Sequence, residues 1–194
     1  MRKSKVERKT LETEITVFLN IDGNGIRRFD TGIEFYDHML SQLAAHGNFD
    51  LEITVKSIDG DSHHIVEDTA LALGEAFKQA LGEKKGINRY GEAIVPMDDS
   101  LSLCSIDLSG RPYCYYKSEI REQKVRDFET ALTKHFFISF SVGSMSNVHV
   151  QLLHGEDPHH KIESMFKSFA KALYKACALN KDNLQNIPST KGII

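Results

Sequence analysis

A chain of 194 residues with 41% hydrophobic and 26% charged residues has enough apolar material for one core, or for two small ones sharing an interface. Its net charge of −3 argues neither for nucleic acid nor for an anionic membrane surface, and no apolar run reaches the roughly 18 residues of a membrane span. The basic start, Met1 to Lys9, runs into Thr10-Leu-Glu-Thr-Glu14 rather than an apolar signal core, and Cys104, Cys114 and Cys177 lack Cys-x-x-Cys spacing, so three buried thiols in a cytoplasmic protein are expected.

Residues 10–21 alternate, with Ile15, Val17, Leu19 and Ile21 on one face, which predicts a strand. Asp22-Gly-Asn-Gly25 turns the chain, and residues 26–30 return as a second strand. Residues 31–46 carry Phe35, Met39, Leu43 and His46 at helical spacing, and Phe49, Leu51, Ile53 and Val55 alternate as a third strand. A second helix opens at Asp61-Ser-His-His-Ile-Val-Glu-Asp68, with Asp61 or Ser62 available as cap, and Gly82 and Gly86 end it.

The second half runs in the same order. Leu101, Leu103 and Ser105 alternate, Ser109-Gly-Arg-Pro112 turns, and Tyr113 to Ser118 returns. Residues 127–145 contain Phe136-Phe-Ile-Ser-Phe-Ser-Val142, strand-like in composition, yet they occupy the place of the first helix, so a helix is expected. Residues 147–154 form a strand, and Asp157-Pro158 begins the last helix with proline in its tolerated first turn.

Two histidine doublets head the corresponding helices. His63, His64 and Glu67 recur as His159, His160 and Glu163 at a constant offset of 96, and the apolar stripes behind them keep that offset. The expectation is an α+β fold built from a tandemly duplicated strand-strand-helix-strand-helix unit, each sheet carrying helices on one face. Residues 1–90 form the first repeat and 91–194 the second, together one domain, with 185–194 as a tail able to close on substrate.

Each half adds a histidine upstream, His38 and His135, giving six histidines and two glutamates as candidate metal ligands. Neighbours on a helix point about 100° apart, so the members of a doublet are poorly placed to chelate one ion together, whereas a histidine and a glutamate three or four residues on share a face. That suits two adjacent cations with open coordination positions, and imidazole plus carboxylate admits Mn, Fe or Zn. His46 has no counterpart in the other half. Arg89, Arg111, Lys167, Ser189, Thr190 and Lys191 are candidates for an anion site, the last three on a mobile tail.

The runs Arg8-Lys-Thr-Leu-Glu-Thr13, Thr31-Gly-Ile-Glu-Phe-Tyr-Asp-His-Met-Leu40, Asp61 to Asp68, Pro96-Met-Asp-Asp99, Asp107-Leu-Ser-Gly-Arg-Pro-Tyr113, His159 to Lys167 and Pro188-Ser-Thr-Lys-Gly192 occur in order. Together they make the chain resemble the imidazoleglycerol-phosphate dehydratases of histidine biosynthesis, with Glu34 and Tyr36 standing where small and aliphatic residues are usual. The resemblance implies the ribosomal protein S5 domain 2-like fold, a monofunctional enzyme without a fused phosphatase domain, and a homo-oligomer of twenty-four chains with active sites at subunit interfaces. It implies two Mn(II) per site, one held by His38, His64, His160 and Glu163, the other by His63, Glu67, His135 and His159. Glu12, Gln42 and His46 would line the pocket of a phosphorylated imidazole substrate, and Arg89, Arg111, Lys167, Ser189 and Lys191 would hold its phosphate. The implied reaction takes D-erythro-imidazole-glycerol phosphate to imidazole-acetol phosphate through a dimanganese-bound imidazolate and a diazafulvene, with Glu12 moving the proton. A dinuclear hydrolase is the rival enzyme, and a metal-glued oligomer the rival of another class.

Overall fold

The fold follows from the alternation in residues 13–20, which places Ile15, Val17 and Leu19 on one buried face of a strand. In a computed structural model describing residues 1–182 and 184–194, that strand is β2 (Thr13–Asn20) of a four-stranded sheet. The others are β1 (Lys3–Lys9), β3 (Arg27–Asp30) and β4 (Asp50–Ser57), in the order β1-β2-β4-β3. β1 and β4 run antiparallel to β2, and β3 runs parallel to β4. Helices α1 (Glu34–Gly47) and α2 (Ser62–Leu81) flank β4 in sequence.

The second half repeats the plan with β5 (Tyr90–Met97), β6 (Ser100–Asp107), β7 (Tyr113–Lys117) and β10 (Asn147–His154), in the order β5-β6-β10-β7. A short hairpin, β8 (Lys124–Val125) and β9 (Phe128–Glu129), precedes α3 (Leu132–Ser144), and α4 (Pro158–Cys177) closes the unit. Among the described residues no helix is long and apolar enough to cross a membrane. Cys104 and Cys177 are buried free thiols, whereas Cys114, expected to be buried, is only partly so.

Each four-stranded sheet therefore has one strand more than the alternation showed, and the β8–β9 hairpin adds two short strands to the second unit. β1 reads Lys-Ser-Lys-Val-Glu-Arg-Lys with only Val6 buried, the charged profile of an edge strand. β5, at the edge of the other sheet, is interrupted by Gly91 and Pro96, residues that argue against a strand when read alone. The alternation of Leu101 and Leu103 marks β6 but not its inner face: Ser102, Cys104 and Ile106 turn inward. Small inward residues are needed because α4 lies close. A β-carbon at Gly91 would stand 2.0 Å from the Ala172 carbonyl oxygen, and the Ser102 and Ser164 hydroxyls meet at 2.7 Å.

The helices fill the space between the sheets and pair across the halves, α2 against α3 and α1 against α4. Phe136, Phe137 and Phe140 of α3 are fully buried and pack on Phe77, Phe166 and Phe169, which is why a strand-like composition is helical here. Backbones of α2 and α3 nearly touch: a β-carbon at Gly74 would lie 2.6 Å from Phe140 O, and one at Gly143 2.3 Å from Leu71 O. Helix α1 has no side-chain cap of its own. Asp127, in the β8–β9 turn, instead accepts from the backbone N–H groups of Glu34 (2.6 Å) and Phe35 (3.0 Å).

Glu34 is exposed and pairs with Arg126 at 2.8 Å. Tyr36 is fully buried between Phe128 and Phe136, and its hydroxyl has no hydrogen-bond partner among the described residues. An orphaned buried hydroxyl costs free energy that its removal recovers. Tyr36→Phe is expected to raise stability by about 1 kcal/mol, read as a higher urea midpoint at unchanged slope.

Candidate metal centre

Both doublets sit in a capped first turn. Asp61 accepts from the His63 N–H at 2.8 Å, and Asp157 from those of His159 (2.7 Å) and His160 (3.2 Å). With the turn held, the 100° step between neighbours sends the two rings of each doublet apart, their centroids 5.9 Å from each other in both cases.

The first member of each doublet turns inward. His63 Nε2 lies 2.9 Å from Glu67 Oε2, one helical turn on, and the His63 ring centroid is 4.5 Å from that of His135 on α3. His159 Nε2 lies 2.9 Å from Glu163 Oε2, and His38 Nε2 of α1 approaches the same oxygen at 3.2 Å. In each trio, one ligand atom per residue lies within 4.8 Å of the other two. The duplication relates the trios, and each takes its doublet histidine and glutamate from one half and its third imidazole from the other.

They differ in charge. Burial pushes the Glu163 carboxyl up, but the Lys167 ammonium at 2.7 Å, together with His159 and His38, outweighs it and holds the pKa at about 2. The corresponding position beside Glu67 is Leu71. The Glu163 side chain is 6% exposed and that of Glu67 43%. Phe35 packs edge-on to His159, with centroids 5.0 Å apart, and walls the Glu163 side.

The second member of each doublet turns outward onto carboxylates. His64 Nδ1 is 2.7 Å from Asp59 and its Nε2 3.6 Å from Glu12, in the turn between β1 and β2. His160 Nδ1 is 2.6 Å from Asp99 and its Nε2 3.5 Å from Asp98, in the turn between β5 and β6. Asp59 and Asp99 raise the two imidazoles above the ordinary histidine range. Asp99 also accepts from the backbone N–H groups of Glu156 and Asp157, which hold its own pKa well below the carboxylate range. A carboxylate on Nδ1 sets ring orientation and tautomer and directs Nε2 outward. Sequence reasoning missed Asp59, Asp98 and Asp99. Their signals were the Pro96-Met-Asp-Asp run and the Asp59-Gly-Asp61 turn, in which only Asp61 was read as a cap.

Within one chain His159 thus stands with His38 and Glu163, whereas the resemblance implied it beside His63, Glu67 and His135. His64 and His160 belong to neither trio of their own chain. Gln42 and His46 pair on α1 at 3.1 Å, and burial, with Lys167 and Lys171 nearby, lowers the His46 pKa.

The anion candidates are divided between two places. Arg89 donates to Asp107 through Nε (2.7 Å) and Nη2 (3.2 Å) and to the Pro188 carbonyl through Nη1 (2.9 Å), leaving two of its five N–H groups. The tail lies along residues 86–89 and reaches the turn at Gly110, next to the exposed Arg111. The Gly86 N–H donates to Asn186 O at 2.9 Å, and a β-carbon at Gly110 would meet Ile194 at 3.1 Å. Ser189 and the exposed Thr190 and Lys191 form a local turn there, with the Lys191 N–H donating to Ser189 Oγ at 3.2 Å. Lys167 contacts Met97, at the other end of β5, about 25 Å from Arg89 at ~3.3 Å per residue.

The sequence pattern of the imidazoleglycerol-phosphate dehydratase family matches residues 31–173. The chain is 49% identical over 194 residues to the imidazoleglycerol-phosphate dehydratase of Lachnoclostridium phytofermentans, covering all of this chain and 98% of that one. It is 48% identical to that of Clostridioides difficile over the full length of both. The crystal structure of the enzyme from Pyrococcus furiosus superposes with a TM-score of 0.85 at 34% identity, over 97% of this chain and all of that one.

Removing a capping carboxylate costs about 1 kcal/mol and frees the turn that aims the doublet. Asp157→Ala is expected to lose that stability in urea unfolding, while Asp157→Asn, which retains an acceptor, keeps most of it.

Proposed function

The chain belongs to the imidazoleglycerol-phosphate dehydratase family, and on that premise we propose that its two His-Glu-His trios hold a pair of Mn(II) ions beside the azole ring of the substrate. Membership makes it a hydro-lyase of histidine biosynthesis that dehydrates imidazoleglycerol phosphate. The observation that carries the metal reading is the recurrence of one trio at the offset of the duplication, each with two imidazoles and a carboxylate within 4.8 Å. These nitrogen and oxygen donors fit a borderline divalent ion, and neither trio contains a thiolate.

When bound, the ions would supply Lewis-acid stabilisation of charge on the ring and a template for it. The C–H bond to be broken lies on a carbon bearing a hydroxyl with no carbonyl beside it, so no side-chain base removes that proton unaided. Once the ring has lost its N–H it can release electrons and expel hydroxide from the attached carbon, giving a diazafulvene whose neighbouring C–H is acidic. Glu12, 48% exposed in its turn, takes that proton, and the enol relaxes to imidazole-acetol phosphate. Glu67 and Glu163 are engaged with imidazoles and serve as ligands.

A second copy completes the site. His64 and His160, which belong to neither trio of their own chain, would serve as further ligands to the trios of neighbouring chains. Arg89, Arg111 and the tail from one copy join Lys167, Gln42 and His46 of another around the phosphorylated substrate, which the separation of about 25 Å along β5 forbids within one chain. The twenty-four-chain assembly implied by the resemblance fits this demand.

Mn-loaded protein given imidazoleglycerol phosphate should form an enolisable ketone and release no inorganic phosphate; phosphate release would favour a dinuclear hydrolase. His63→Ala and Glu163→Ala should each lose bound metal and turnover together, and full metal content in both by elemental analysis would refute the ligand assignment. Lys191→Ala should raise KM by about 10–100-fold, the worth of a charge-assisted hydrogen bond, with assembly unchanged by light scattering.

A further inference from the structure

Several residues of the runs Arg8 to Thr13 and Asp61 to Asp68 have no task in this chemistry, and the fold brings them together. Asp68, one residue past Glu67 on α2, is only 5% exposed. Its carboxylate accepts from Thr13 Oγ1 at 2.6 Å and from Arg8 through Nε (2.9 Å) and Nη2 (2.8 Å). Thr10 Oγ1 lies 3.4 Å from the same carboxylate and accepts from the backbone N–H groups of Glu12 (3.1 Å) and Thr13 (3.0 Å). The Glu12 carbonyl accepts from the Ile58 N–H at 2.8 Å. The backbone on both sides of Glu12 is thereby tied to a buried anion, while its side chain extends into solvent beside His64.

The other half is built differently. At the offset of 96, Ser164 replaces Asp68, and its hydroxyl meets that of Ser102 at 2.7 Å. The buried charged clamp belongs to the half whose hairpin turn carries Glu12.

We propose that Asp68, with Arg8, Thr10 and Thr13, is a positioning group that fixes Glu12 relative to the helix carrying His63 and Glu67. A carboxylate on an untethered turn would sample many positions, and misplacement of about 1 Å costs up to 10²-fold in rate. The proposal rests on the reading of Glu12 as the proton carrier, and its test separates the two.

Thr13→Val removes the hydroxyl at nearly constant volume and spares the ion pair between Arg8 and the buried Asp68. In the Mn-loaded enzyme it should lower kcat about 10–100-fold, with KM and metal content unchanged, and amide hydrogen exchange at Glu12 should accelerate. Thr13→Ser, which keeps the hydroxyl, should restore kcat to within about 3-fold. In a Glu12→Gln background with measurable residual turnover, Thr13→Val should have little further effect, since the two changes act through one group. An unchanged kcat in Thr13→Val, an equal loss in both backgrounds, or unchanged exchange at Glu12 would overturn the positioning role. Should Glu12→Gln itself keep full turnover, the proton-carrier reading falls, while the exchange rate still reports whether the clamp holds the turn.

Discussion

An α-helix advances about 100° per residue, and the whole site depends on that step. At each doublet it separates two adjacent imidazoles, one turned inward toward a histidine of the neighbouring helix and one turned toward the carboxylates of an adjoining turn. The inward ring shares a face with the glutamate one turn on, so a carboxylate oxygen lies 2.9 Å from its Nε2 in both copies. The outward ring meets a carboxylate on its Nδ1, Asp59 or Asp99. Capping aspartates keep this first turn from fraying, so a local backbone rule becomes a reproducible arrangement of nitrogen and oxygen atoms.

The third imidazole of each trio comes from the pairing of helices across the halves. His135 reaches His63 because α3 lies against α2 at a crossing where Gly74 and Gly143 allow near contact of backbones. His38 reaches Glu163 because α1 lies against α4, and the start of α1 is itself capped by Asp127 from the opposite half. Core packing is therefore also site geometry. The trios are alike in plan and unlike in charge. Lys167 pins one oxygen of Glu163 and leaves the other to the imidazoles, whereas Glu67, with Leu71 in the equivalent place, is more open to solvent.

Much of this was legible from the residues. The repeat identified α3 against the local propensity of Phe136 to Val142, because three buried phenylalanines outweigh a preference worth tenths of a kcal/mol per residue. The doublets, their glutamates and the upstream histidines follow from spacing alone. The missed strands β1 and β5 lie at sheet edges, where charge, glycine and proline are admitted and the alternating signal is lost. The inner face of β6 was hidden because closeness to α4 demands small residues, so its large ones point away. Asp59, Asp98 and Asp99 were given no role because an acidic residue in a turn is ordinary, and only folding shows which imidazole it faces. That His159 lies beside His38 within one chain could not be read either, since spacing shows which residues share a helix face but not which helix that face meets.

The exchange of partners between halves bears on how such a chain could have arisen. A protein half this length would carry a doublet and a glutamate on one helix and a lone imidazole on another, with no contact between them. Only by associating with its own twin could it have assembled a trio, and two would then have formed at once, related by the twofold axis of that pair. Fusion of the two genes would turn this encounter into an intramolecular one and release the copies from symmetry. The lysine beside one glutamate and the buried aspartate behind one hairpin are the kind of divergence that this freedom permits.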